Sequence, residues 1–223
     1  MQTKINKIII SLFLLFFYHN IANSKAFDEK NVYNYFSALV LLEKNKSIES
    51  LSYFNSSKEL KESHPSYIKK YIFSLVLAEK VTKAIREIKT TNEKSFIDFF
   101  EAHLLLVLDG INTKNYKESL KHINNLKKHK KDGTFELIVI NFLEEYINLF
   151  NENQIQPNID QQFGKMSLIN RTLQSCYLGS SKTENFFENL INYEEESNSR
   201  YLFFYANYLI DKKNYLKAKN IFQ

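Results

Sequence analysis

The chain has 223 residues, 44% of them hydrophobic and 15% aromatic, which is enough apolar surface for a folded core and too much for a disordered segment. Its four Gly and two Pro leave few breaks, so long helices are expected. The formal charge of +5 falls to +2 once Lys4, Lys7 and Lys25 of the first 26 residues are set aside, and the case for a nucleic-acid binder built on global charge falls with it.

Lys4 and Lys7 precede an apolar run over 8–18, and a more polar stretch then ends in Ser24-Lys25-Ala26, with small residues at the positions a signal peptidase prefers. Residues 1–26 are expected to be a cleaved secretory signal, with the mature chain starting at Phe27 in a secreted or periplasmic location. The alternative is an uncleaved membrane anchor, because Ile21 and Ala22 could lengthen a run that alone falls short of the roughly 20 residues needed to span. No Cys follows the run, so a lipoprotein anchor is unsupported. Cys176 is the one cysteine; it can form no intrachain disulfide and is expected as a small buried hydrophobe.

From Phe27 onward apolar residues recur at spacings of three and four without strand-like alternation, which predicts an all-α chain. A first helix pair is expected over 28–43 and 47–60, with Ala38 and Ser50 twelve apart and Phe54 four further on. Pro65 opens a second pair, 65–79 and 81–89, whose connection looks unusually tight. The third covers 95–109 and 115–128, with Ser95 and Asp98 as a possible capping box. A strong amphipathic helix at 134–150 is followed by an Asn/Gln-rich loop with Pro157 at 151–162. Helices at 163–178 and 183–193 come next, and then a final pair beginning at Arg200 and, after Lys213-Asn214-Tyr215, continuing from about 214. Gly110, Gly133 and Gly179 fall where helices should end, as a left-handed cap prefers.

Small residues set a period. Ser50, Ala84, Ser119 and Ala218 are separated by 34, 35 and 99 residues, the last interval fitting three repeats of 33. In the final pair Ala206 precedes Ala218 by twelve and Phe222 follows it by four. That arithmetic resembles a tetratricopeptide repeat. The resemblance implies an α-solenoid of stacked antiparallel helix hairpins, with repeats over 27–150 and 163–223 and the last one incomplete. It also implies a protein- or peptide-binding scaffold whose first helices line a groove. Carried over by position, the groove candidates are Arg200, Phe203 and Asn207, and Tyr35, Leu39 and Leu42. Inter-repeat core is the competing role for Phe203, Leu39 and Leu42, so the polar Arg200 and Asn207 are preferred.

No catalytic constellation is evident, and no catalytic, cofactor-binding or metal-ligating residue is assigned. The histidines beyond the signal, His64, His103, His122 and His129, lack the paired spacing of a zinc helix, and His103 sits in an apolar run that suits an interior histidine. No Gly-rich phosphate loop and no Gly-x-Ser-x-Gly elbow occurs. Lys121, Lys127, Lys128, Lys130 and Lys131 gather positive charge near one helix end, where they either complement the helix dipole or meet an anionic partner such as a lipid headgroup. Aromatics do not interleave with them, so single-stranded nucleic acid is not expected. The expected function is an exported scaffold without catalysis of its own. The alternatives are the helical region of a larger enzyme continuing beyond Gln223, and a membrane-surface protein held by an uncleaved anchor.

Overall fold

The computed structural model describes residues 28–130, 135–155, 163–193 and 199–222. The signal call on 1–26, Gly133 and most of the 151–162 loop lie outside them. The described residues are helical without strands. The eleven α-helices are α1 Glu29–Glu43, α2 Ser47–Ser56, α3 Pro65–Leu77, α4 Val81–Thr90, α5 Phe100–Asn112, α6 Tyr116–His129, α7 Phe135–Glu152, α8 Lys165–Tyr177, α9 Thr183–Ile191, α10 Ser199–Asp211 and α11 Tyr215–Asn220, and two 3-10 turns lie at Lys58–Glu62 and Lys94–Ile97. Each helix packs on its neighbours in sequence within two compact units that divide between Asp98 and Phe99. No helix among the described residues is long and apolar enough to cross a membrane.

One turn chemistry recurs between paired helices. Asn45, Glu79, Lys114, Gly179 and Lys213 all take a left-handed backbone, with φ between 57° and 63°. In each case the next amide reaches back five residues: Lys46 to Leu41, Lys80 to Leu75, Asn115 to Gly110, Ser180 to Ser175 and Asn214 to Leu209, at 2.7 to 3.1 Å. This is the Schellman arrangement, which satisfies carbonyls that the helix end would otherwise orphan. The five positions are 34, 35, 65 and 34 residues apart. The Lys213-Asn214-Tyr215 triplet has a counterpart in Lys114-Asn115-Tyr116, and the two have the same physical role. Lys114 and Lys213 supply the left-handed residue, and the Asn115 and Asn214 side chains accept from the amides of Glu118 and Lys217 at the start of the next helix.

The small residues lie where the helices of a pair cross. Ser50, Ala84 and Ser119 are fully buried and Ala218 nearly so, which lets neighbouring helices approach closely. Ser50 and Ser119 also donate their hydroxyls to the carbonyls of Ala38 and Val107, each twelve residues earlier. Around them the first unit buries Phe54, Tyr67 and Leu75. The Phe54 and Tyr67 rings meet edge to face with centroids 5.5 Å apart, and the Tyr67 hydroxyl donates to the Phe54 carbonyl at 2.6 Å. In the second unit Val107, Ile123, Leu126, Ile140 and Ile147 form one cluster. Phe187, Tyr205, Leu209 and Ala218 form another, with the half-buried Cys176 at its edge.

Several local expectations are corrected. The 78–80 connection is not unusually tight; it has the same three-residue form as those at 44–46, 113–115 and 212–214. The second helix ends at Ser56, and a 3-10 turn carries the chain to Glu62. Ser95 and Asp98 form no capping box: Glu93 accepts from the Ser95 amide, and α5 begins only at Phe100. Gly110 is not a helix end; it lies within α5, two residues before its last position. The 99-residue interval to Ala218 holds α7 as a single 18-residue helix before the α8–α9 and α10–α11 pairs. There the buried small residue is Thr183, followed four residues later by the buried Phe187.

Candidate functional site

In each pair the first helix carries a residue at the same distance in sequence before its left-handed turn: Leu39 and Phe73 in the first unit, and Leu108, Leu173 and Asn207 in the second. Leu39 is half-buried, and Phe73, Leu108, Leu173 and Asn207 are exposed. In the first unit Leu39, Leu42 and Glu43 of α1 face Lys70 and Phe73 of α3 across a depression of about 150 Å³. That is well below the several hundred Å³ of a small-molecule pocket and is sized for a single side chain. Phe36 and Val40 of α1 and Phe73 and Leu77 of α3 remain between 45% and 59% exposed, an apolar surface of the kind that marks interaction sites when it is contiguous.

The groove candidates divide accordingly. Leu39 and Leu42 line the depression, Leu42 from an almost buried position. Tyr35 does not face a groove: it is 7% exposed and packs its ring against Phe54, His64 and Tyr67. The reason is its position three residues before the buried Ala38, which places it on the same inward stripe of α1. Arg200, Phe203 and Asn207 are all exposed on α10, and Phe203 leans on Phe222 with ring centroids 5.3 Å apart.

In the second unit a larger cleft of about 680 Å³ lies beside the α8–α9 pair, lined among others by Ser167, Arg171, Phe186, Asn189 and Tyr193. The Arg171 guanidinium stands over the Phe186 ring, 5.8 Å from its centroid, a cation–π contact between two residues of the cleft lining. On the adjoining helix the Glu145 carboxylate accepts from Asn170 and, at 3.1 Å, from Gln174. Burial pushes its pKa above the ordinary carboxylate value, against the lowering effects of Gln174, Arg171 and Asn170. Nothing in the residue spacing singles out this cleft, because its lining comes from two helices and the residues flanking them.

A second grouping escapes sequence reasoning altogether. The packing of α5 on α6 brings His103 against His122, with their Nδ1 atoms 3.0 Å apart and ring centroids at 5.3 Å. His129, seven residues after His122, stacks on His103 at 5.8 Å and 23°, and the two offer ring nitrogens within 4.8 Å of each other. The Nε2 of His122 lies 3.2 Å from a Glu118 carboxylate oxygen. Burial lowers the His122 pKa, as do His103 and Lys121, while Glu118 opposes the shift. Glu118 itself is held below the ordinary value, chiefly by its hydrogen bond from Lys121.

The basic cluster is partly neutralised within the protein. Lys121 pairs with Glu118 at 3.1 Å, Lys127 pairs with Glu144 of α7 at 2.7 Å, and Lys128 donates to Asn125 at 2.9 Å. Lys127 and Lys128 stand in the last turn of α6, where the helix dipole favours cations. Lys130 follows the helix as its C-cap, and Lys131 lies outside the described residues. No family model matches the chain, nor does any curated protein or solved structure.

Proposed function

We propose that the protein is an exported, tetratricopeptide-like α-solenoid that binds an extended segment of a partner protein along the first helices of its pairs. The observation that carries this reading is the depression at Leu39, Leu42 and Phe73, flanked by the exposed apolar side chains of α1 and α3. A side-chain-sized hollow between successive first helices suits a peptide anchor residue, with Lys70 and Glu43 at the rim to orient polar backbone groups. The 34-residue recurrence of the left-handed turns supports the repeat reading, since stacked units of one length keep equivalent faces in equivalent places. The scaffold performs no chemistry in this reading. The amino-terminal run of 8–18 supports export.

The test is site-specific photocrosslinking in the native envelope, with a crosslinking amino acid placed at Phe73 in one strain and at the still more exposed Ile48 of α2 in another. A discrete adduct at 73, absent at 48 and lost when Leu39→Glu is added, supports the groove. Equal adducts at both positions, or an adduct insensitive to Leu39→Glu, would remove it.

A further inference from the structure

We propose that His103 and His122 form the protein part of a binding site for one first-row transition-metal ion, of which zinc is the commonest candidate. The argument starts from the tautomers. The Nε2 of His122 faces the Glu118 carboxylate at 3.2 Å, and an acceptor there keeps the proton on Nε2. The Nδ1 of His122 is therefore a bare lone pair, and it points at the Nδ1 of His103, 3.0 Å away. In the metal-free protein the His103 Nδ1–H donates to it.

Two nitrogens bound to one such ion at about 2.0 to 2.1 Å stand about 2.8 to 3.0 Å apart at an octahedral angle and about 3.3 to 3.4 Å apart at a tetrahedral one. The observed separation of 3.0 Å falls at the octahedral value, so the ion would take the place of the bridging proton, and His103 would stay neutral by carrying its proton on Nε2 instead. A carboxylate hydrogen-bonded to the far nitrogen of a ligating imidazole is the usual outer support of a histidine metal site, and Glu118 is in that position. The backbone is rigid where it needs to be: His103 is buried beside Val107, and His122 is adjacent to the buried Ile123.

The experiment uses the untagged full chain, stripped with EDTA and titrated with Zn2+ against a chromophoric chelator. One equivalent is expected to bind with micromolar or tighter Kd. His122→Gln should weaken it by at least a hundredfold, and Glu118→Gln, which keeps the fold and both ligands, by about 10- to 100-fold. His64→Gln, in the other unit, should leave it unchanged. Because the buried His103 variant could misfold, X-ray absorption of the zinc-loaded wild type supplies the second readout, with imidazole scattering from at least two histidines expected. Absence of binding below 100 μM, wild-type affinity in His122→Gln, or an oxygen-only coordination shell would each overturn the site.

Discussion

Gly110 on α5 lies so close to Ser119 on α6 that a Cβ built on it would sit 2.2 Å from the Ser119 Oγ. That hydroxyl is not free to swing away, because it donates to the Val107 carbonyl at 3.2 Å and lies 3.3 Å from the Asn115 carbonyl. Two opposing effects meet at this position. Gly→Ala inside a helix gains about 1 kcal/mol of propensity, and overpacking a tight contact costs about 1 to 3 kcal/mol. Here the backbone carbonyl of Asn115, 3.2 Å from the same Cβ, cannot yield easily, so the clash wins. Gly110→Ala is expected to lower the urea midpoint, and adding Ser119→Ala should restore part of the loss. A double-mutant cycle without coupling between the two changes would show that the helices do not touch there.

The left-handed turns offer a test of opposite sign. Glu79 and Gly179 both adopt positive φ, 59° and 63°. An L side chain pays about 1 to 2 kcal/mol in that region, and glycine loses up to about 1 kcal/mol of chain entropy instead. Glu79→Gly should therefore stabilise the protein by up to about 1 kcal/mol, and Gly179→Ala should destabilise it by a comparable amount. Thermal unfolding of the two variants gives the comparison; midpoints moving in the same direction would contradict the shared turn geometry.

Glu145 shows how a carboxylate can weaken a fold at neutral pH. Its folded-state pKa is raised, first by burial, so the folded chain binds its proton more readily than the unfolded chain. The wild type then gains stability as pH falls through that raised value, and the unfavourable ionised state accounts for the deficit above it. Glu145→Gln keeps an acceptor for Asn170 and Gln174 and removes the charge. At pH 7 the variant should be more stable than the wild type, with the advantage disappearing by about pH 4. A constant difference across that range would mean that ionisation is irrelevant.

Lys217 of α11 bridges Glu184 and Glu188 of α9, the latter at 2.6 Å. These contacts raise the Lys217 pKa, Glu184 foremost, and Lys217 holds Glu188 below the ordinary carboxylate value. The lysine's contribution is complete below its unfolded value near 10.5 and is lost as pH rises through the folded one. The glutamate's contribution is present above 4.5 and is lost as pH falls through its lowered folded value. With the lysine 37% and Glu188 42% exposed, solvent screening limits the gain to about 1 kcal/mol or less. Lys217→Met should cost that much between roughly pH 5 and pH 10, and the difference should shrink at both ends. Salt should shrink it as well.

Much of the helical plan was legible because it depends on spacing along one chain. Apolar residues at three and four mark the faces of α1 through α11, and Ser50, Ala84, Ser119 and Ala218 announce the close crossings, since only small side chains can occupy them. Pro65 marks its helix start by chemistry that acts within a single turn. The turns were less legible. Lysine, asparagine and glutamate do not advertise a left-handed backbone as glycine does, so Glu79, Lys114 and Lys213 carry no local signal for it, and the cap expected at Gly110 belongs to Lys114. Which residues of a face meet solvent was decided by neighbouring helices. Tyr35 looked like Leu39 on the first helix until the aromatic ring of Phe54 covered it. The histidine group depended on tertiary structure most of all. His103 and His122 are 19 residues apart on different helices, with no spacing rule to connect them, and only the packing of α5 on α6 sets their nitrogens 3.0 Å apart. Periodicity along one chain determines which helices form and where they can approach. Chemistry between helices depends on the distance and rotation of two separate axes, which no single stretch of the chain encodes.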